Sequence, residues 1–139
     1  PFGFKGVGLY GKITRVYDGD TCYAVVYLCN KLQVITIRMN GYDSPEMRPS
    51  KSLPNRERHI QAANEAKKAL EDKILNQFVF IYIHGFDKYG RFLCDISEIS
   101  QEQPYNVITT DTINNYMIEH SQGIAYKGGT KIPFQFDQI

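Results

Sequence analysis

The stretch LYGKITRVYDGDTCYAVVYLCNKLQVITIRM, residues 9–39, decides the fold. It is dense in β-branched and aromatic residues, the types that suit a pleated and half-buried backbone. Thr21 to Cys29 is apolar on both faces, a turn is expected at Asn30-Lys31, and Leu32 to Met39 resumes as strand. In that last run Ile35, Ile37 and Met39 alternate with Val34, Thr36 and Arg38, the period-2 pattern of a sheet with one covered face. The segment reads as a meander of about three strands.

Downstream the pattern changes. Asn40 to Arg58 is rich in Gly, Pro, Ser, Asn and charge, and reads as a long loop. Glu57 to Leu75 reads as helix, because Ile60, Ala63, Lys67, Leu70 and Ile74 recur at helical steps and Ala62, Ala66 and Ala69 widen the stripe. Phe78 to Ile83 is expected as a buried strand, Asp87 to Gly90 as a tight turn, and Arg91 to Ile99 as a further strand. A second helix is expected over Thr112 to His120 with Asp111 as its N-cap, and the tail from Gly128 is expected to be loose. Three strands, a helix, two strands and a helix suit an α+β, mainly β protein. The expected form is a five-stranded Greek-key barrel of the OB type with two packed helices, in which closure removes the sheet edges.

A chain of 139 residues has room for one domain, expected to span residues 1–139. No apolar run approaches the ~20 residues needed to cross a bilayer, and no signal peptide is visible. The chain begins at Pro1 rather than methionine, which is compatible with a leader or longer N-terminal region removed earlier. Cys22, Cys29 and Cys94 are odd in number and lack zinc-site spacing. They read as small buried hydrophobes of a reducing compartment, which favours an intracellular location.

The net charge is only +1, so the chain is no polycationic coat for nucleic acid. Phosphate contacts would come from a few placed cations, as in an enzyme site. Three clusters combine charge with turn residues: Asp18-Gly19-Asp20-Thr21, then Arg38 followed five residues later by Asp43-Ser44-Pro45-Glu46, then Asp87-Lys88-Tyr89-Gly90-Arg91. Each alone has an ordinary structural explanation. The first is a turn, the second a helix start with Pro in its first turn, and the third a hairpin turn with Gly at positive φ. Together they lie at strand ends or on adjoining loops, which in a small barrel converge on one rim. They supply carboxylates for a hard cation, a carboxylate for a water, and two guanidinium forks matched to phosphate oxygens. His59, His84 and His120 are scattered and unpaired with a nucleophile, which disfavours histidine base chemistry.

With these motifs in this order, the chain resembles the staphylococcal (micrococcal) nuclease, or thermonuclease, family over about residues 8–126, with residues 127–139 a loose tail. The resemblance implies a calcium-dependent nuclease, an endo- or exonuclease, that hydrolyses P–O5′ bonds in DNA or RNA and leaves 3′-phosphate ends. It implies Asp20, Asp43 and the main-chain carbonyl of Ser44 as Ca²⁺ ligands, with Asp18 supporting them from behind. It implies Glu46 as the residue that activates water and Arg38 and Arg91 as the pair gripping the scissile phosphate. Lys88 and Tyr89 resemble groups that contact a neighbouring phosphate, and Tyr126 is the nearest candidate to stack on a base. The implied partner is nucleic acid, as single strand, frayed duplex or RNA, and no membrane or protein partner is legible.

The chain departs from the family pattern at Ser44, where the family has Thr, and at Ser121, where it has Gly. Met47 to His59 matches poorly, so Arg48, Lys51, Arg56 and Arg58 read as a solvated face rather than as substrate contacts. The family's third helix has no counterpart in Thr130 to Ile139. The rival reading is a catalytically weak nucleic-acid-binding or protein-interaction module of the same fold. The intact set of Asp20, Arg38, Asp43, Glu46 and Arg91 weighs against it, because gathering charge carries a desolvation cost.

Overall fold

A computed structural model describes residues 3–100, 111–120 and 123–125. Strand β1 (Gly8–Asp18) turns at Gly19-Asp20 into β2 (Thr21–Leu28), which hairpins into β3 (Lys31–Met39). The two-residue β4 (Tyr42–Asp43) precedes helix α1 (Arg56–Ile74), then β5 (Phe78–Phe86), β6 (Phe92–Glu98), helix α2 (Ile113–Glu119) and the two-residue β7 (Ile124–Ala125). The five long strands close in the order β1-β2-β3-β6-β5. Among the described strands only β3 and β6 pair in parallel, joined through Ile37↔Phe92, Arg38↔Leu93 and Met39↔Cys94. The expected mainly β barrel with two helices is therefore present.

Its core follows from strand alternation. Ile13, Cys22, Ala24, Val26, Ile35, Ile37, Val79, Ile81, Ile83, Cys94 and Ile96 point inward and are buried. Helix α1 closes the barrel against β1, and α2 packs on β6 and α1. Asn114 fastens α2 to the sheet: its Oδ1 accepts from Ile96 N at 3.0 Å, while its Nδ2 donates to Asn40 O at 2.8 Å and Cys94 O at 3.0 Å. Among the described residues no helix is long and apolar enough to cross a membrane.

Several local expectations shift. The β2–β3 turn is Cys29-Asn30 rather than Asn30-Lys31, and both residues have positive φ, 53° and 64°, as a two-residue hairpin following strand twist requires. Cys29 is consequently exposed at the hairpin tip, while Cys22 and Cys94 are buried as expected. The buried stripe of α1 is His59, Ala63, Ala66, Leu70 and Ile74, so His59 takes the place expected for Ile60. The N-cap of α2 is Thr112, whose hydroxyl accepts from Asn115 N at 3.1 Å, rather than Asp111. Strand β5 runs on to Phe86 through an irregularity between Ile83 and Gly85. The expected long loop contains β4, which pairs antiparallel with β7 through Tyr42↔Ala125 and Asp43↔Ile124. Tyr126, Ser121 and the tail 127–139 lie outside the described residues.

Candidate active site

The three charged clusters meet at one mouth of the barrel, lining a cavity of about 1050 Å³. Asp20, Arg38, Asp43, Ser44, Glu46, Lys88, Tyr89 and Arg91 all line it, with Asp18, Thr21, Tyr42 and Asp87. Strand ends explain the convergence. Thr21 begins β2 directly opposite Arg38 near the end of β3, and the β5–β6 turn carries Asp87 to Arg91 to the same rim. The three histidines do not line this cavity. His84 instead pairs with Asp95 at 2.8 Å across the β5–β6 pair.

Asp20 and Asp43 are both buried, at 7% and 6% exposure. They approach one nitrogen: Arg38 Nη2 contacts Asp43 Oδ1 and lies 3.4 Å from Asp20 Oδ2. Arg38 is held in turn by Nη1, which donates to Met39 O at 3.0 Å and to Tyr42 O at 2.9 Å. Asp20 Oδ2 also accepts from Ser44 N at 2.9 Å, and its Oδ1 accepts from the Thr21 hydroxyl at 3.1 Å. Burial pushes the Asp20 carboxyl upward, but the Arg38 charge and hydrogen bonds from Asp18 and Ser44 outweigh it and hold the group below the usual carboxylate range. The opposite holds at Asp18. Burial first, then the neighbouring Asp20 charge, raise it to about 7. Two adjacent carboxylates thus divide their roles, one kept ionised and one able to carry a proton near neutrality.

Gly19 between them is required by space rather than by dihedral freedom. A Cβ there would stand 2.7 Å from both Ala66 Cβ and Ser44 Cβ, so only glycine lets the turn pack against α1 and the acidic loop. On the far wall, Asp87 Oδ2 accepts from Arg91 Nε at 2.6 Å, and its Oδ1 accepts from the backbone N–H groups of Tyr89 and Arg91, both at 2.9 Å. Burial pushes the Asp87 carboxyl up, but these hydrogen bonds prevail and lower it. Arg91 Nη1 lies 3.4 Å from Thr21 Oγ1. The dipeptide Asp20-Thr21 therefore links both arginines. The exposed Tyr89 ring lies 5.2 Å from Lys88 Nζ and 5.4 Å from Arg91 Cζ, an aromatic face flanked by two cations.

Sequence reasoning gave roles to nine of the lining residues, Asp18 among them, and missed the roles of Thr21, Tyr42 and Asp87. Thr21 and Asp87 sit inside the recognised clusters, where a turn explained them adequately. Tyr42 had no signal beyond its place between Arg38 and Asp43. Among the described residues no group of three or more His, Cys, Asp or Glu is close enough to hold a metal. The two carboxylates that converge on Arg38 are hard oxygen donors, and this chemistry fits a hard divalent cation whose remaining positions are filled by water and other oxygens.

A search of the curated proteins returns no match. The profile of the staphylococcal nuclease homologue family matches residues 36–131, more than half of the chain. Asp18 and Asp20 precede the matched segment, and their place in the site rests on the barrel geometry alone. That family consists generally of nucleases, which links the chain to nuclease or nucleic-acid-related function. With the closed barrel and the match across Arg38, Asp43, Glu46 and Arg91, the chain belongs to the staphylococcal nuclease homologue family.

Proposed function

We propose that the chain is a calcium-dependent phosphodiesterase that hydrolyses the P–O5′ bond of single-stranded or frayed DNA and of RNA, leaving 3′-phosphate ends. The observation that carries this reading is the convergence of Asp20 and Asp43 on Arg38, with Glu46 and Arg91 lining the same cavity. Asp20, Asp43 and the Ser44 carbonyl would hold Ca²⁺, which when bound supplies Lewis-acid stabilisation of charge on the phosphate.

The chain's own residues account for the rest. Arg38 and Arg91 present always-charged planar forks to the non-bridging oxygens, where negative charge gathers in the transition state. Glu46, on the exposed edge of the acidic loop, takes a proton from water as its oxygen bonds to phosphorus. The P–O5′ bond breaks with an Arg91 N–H facing the departing 5′ oxygen, which takes a proton from solvent water to become the 5′-hydroxyl, while Glu46 later releases its proton to solvent. Asp87 holds Arg91 for this task. Lys88 and Tyr89 bind the adjacent phosphate and nucleotide, and Tyr126 is assigned to base stacking.

The test is a gel assay on single-stranded DNA, double-stranded DNA and RNA, with calcium, magnesium or manganese and end analysis of the products. Activity should vanish in a calcium-selective chelator and return with added calcium. Full activity in the chelator removes calcium from the reading, and binding without cutting makes the chain a recognition module.

A further inference from the structure

We infer that Tyr42, seated on Gly123, is a positioning residue that sets the separation of the two acidic segments, and that the seat requires glycine at 123. Tyr42 is 1% exposed and touches three parts of the site. Its hydroxyl donates to Gly19 O at 2.7 Å, gripping the turn between Asp18 and Asp20. Its backbone carbonyl accepts from Arg38 Nη1 at 2.9 Å. Its chain neighbour is Asp43. One side chain therefore spans the distance from the β1–β2 turn to the acidic loop, and the same residue anchors the guanidinium between their carboxylates.

The carbonyl that Tyr42 grips cannot drift. Gly19 is packed against Ala66 and Ser44 with no room for a Cβ. The ring is backed by Gly123: a Cβ added there would press into it, meeting Tyr42 Cδ2 first and lying 3.0 Å from Cγ and 3.1 Å from Cε2. The flanking pairs Tyr42↔Ala125 and Asp43↔Ile124 hold Gly123 against the ring. A side chain at 123 forces a shift, and in this inference it is Tyr42 that yields, carrying its contacts with Gly19 and Arg38 along. The segment around Gly123 thus acts on chemistry more than eighty residues upstream, without touching substrate.

The activity arm of the test rests on the proposed nuclease reading, whereas the structural arm does not. The structural arm follows the guanidinium N–H signals of Arg38 by ¹⁵N NMR in the full chain. Gly123→Ala should shift those signals and speed their exchange while core signals of Ile13 and Ile96 stay in place. In the activity arm the same change should lower turnover on the order of 100-fold, as displacement of a charged site by about 1 Å does. Tyr42→Leu supplies the control: its cost and that of Gly123→Ala/Tyr42→Leu should be equal, since the collision needs the ring. Unmoved Arg38 signals, or costs that simply add, would overturn the inference. A parent chain that cuts nothing while its Arg38 signals still respond to Gly123→Ala sinks the nuclease reading and supports the positioning. If Gly123→Ala does not fold, Tyr42→Phe decides. Loss of its hydroxyl should shift the Gly19 and Asp20 amide signals, and no shift there counts against the inference.

Discussion

Asp20 and Ser44, twenty-four residues apart, are joined by a hydrogen bond of 2.9 Å from the Ser44 N–H to Asp20 Oδ2. Because both groups are buried, the bond is shielded from water and ties the β1–β2 turn to the acidic loop. It also aims the Asp20 carboxylate at the segment whose carbonyl is the proposed third ligand. The site is thereby assembled from two distant pieces before any substrate arrives.

Thr21 supports that carboxylate from the other side, donating to Asp20 Oδ1 at 3.1 Å. Thr21→Val keeps the shape and removes the donor. The calcium concentration for half-maximal activity should rise about 10–100-fold, the usual cost of losing a group that orients a ligand. An unchanged calcium titration would remove Thr21 from the site.

Glu46 is exposed and lines the cavity. Glu46→Gln should lower turnover on the order of 10²–10⁴-fold, the range expected of a positioned general base. Its melting temperature should stay close to that of the parent, because the side chain is exposed and the change is isosteric. Equal rates in single-turnover assays would exclude Glu46 from the proton transfer.

Asp87 has its carboxyl lowered from the ordinary 3.8, hydrogen bonds from Arg91 and Tyr89 prevailing over burial. A group with a lowered folded value stabilises the fold above its unfolded value, and loses that contribution as pH falls through the lowered one. The gap in urea midpoint between the parent and Asp87→Asn should thus be full at neutral pH and close as pH drops below 3.8. A gap independent of pH would contradict the assignment. Turnover should fall as well, since Arg91 loses its anchor.

Asn114 makes three hydrogen bonds that fasten α2 to β6 and to the end of β3. Asn114→Ala strands buried backbone groups at about 1–3 kcal/mol each, and denaturant titration should show a loss of at least about 2 kcal/mol. A loss within error would mean that other groups or water take over these bonds.

Much of the fold was legible because period is a local property. The alternation from Leu32 to Met39 and the helical steps of Ala63, Leu70 and Ile74 each reflect a single element meeting the core. Errors arose where two neighbouring residues fit the same role. Thr112 and Asp111 both cap helices, and only the direction of the entering chain chooses between them. Cys29 is apolar in composition, yet its place at the hairpin tip exposes it.

By itself the sequence determined the strand and helix order, the inventory of carboxylates and guanidinium groups, and their placement at strand ends, because these follow from spacing along one chain. Tertiary structure alone decided that Asp20 and Asp43 share Arg38, that Asp18 and Asp20 hold protons so differently, and that Tyr42, packed on Gly123, reaches the Gly19 carbonyl. Those facts depend on distances between segments far apart in the chain and on which charges lose water. Neither is encoded in any local pattern.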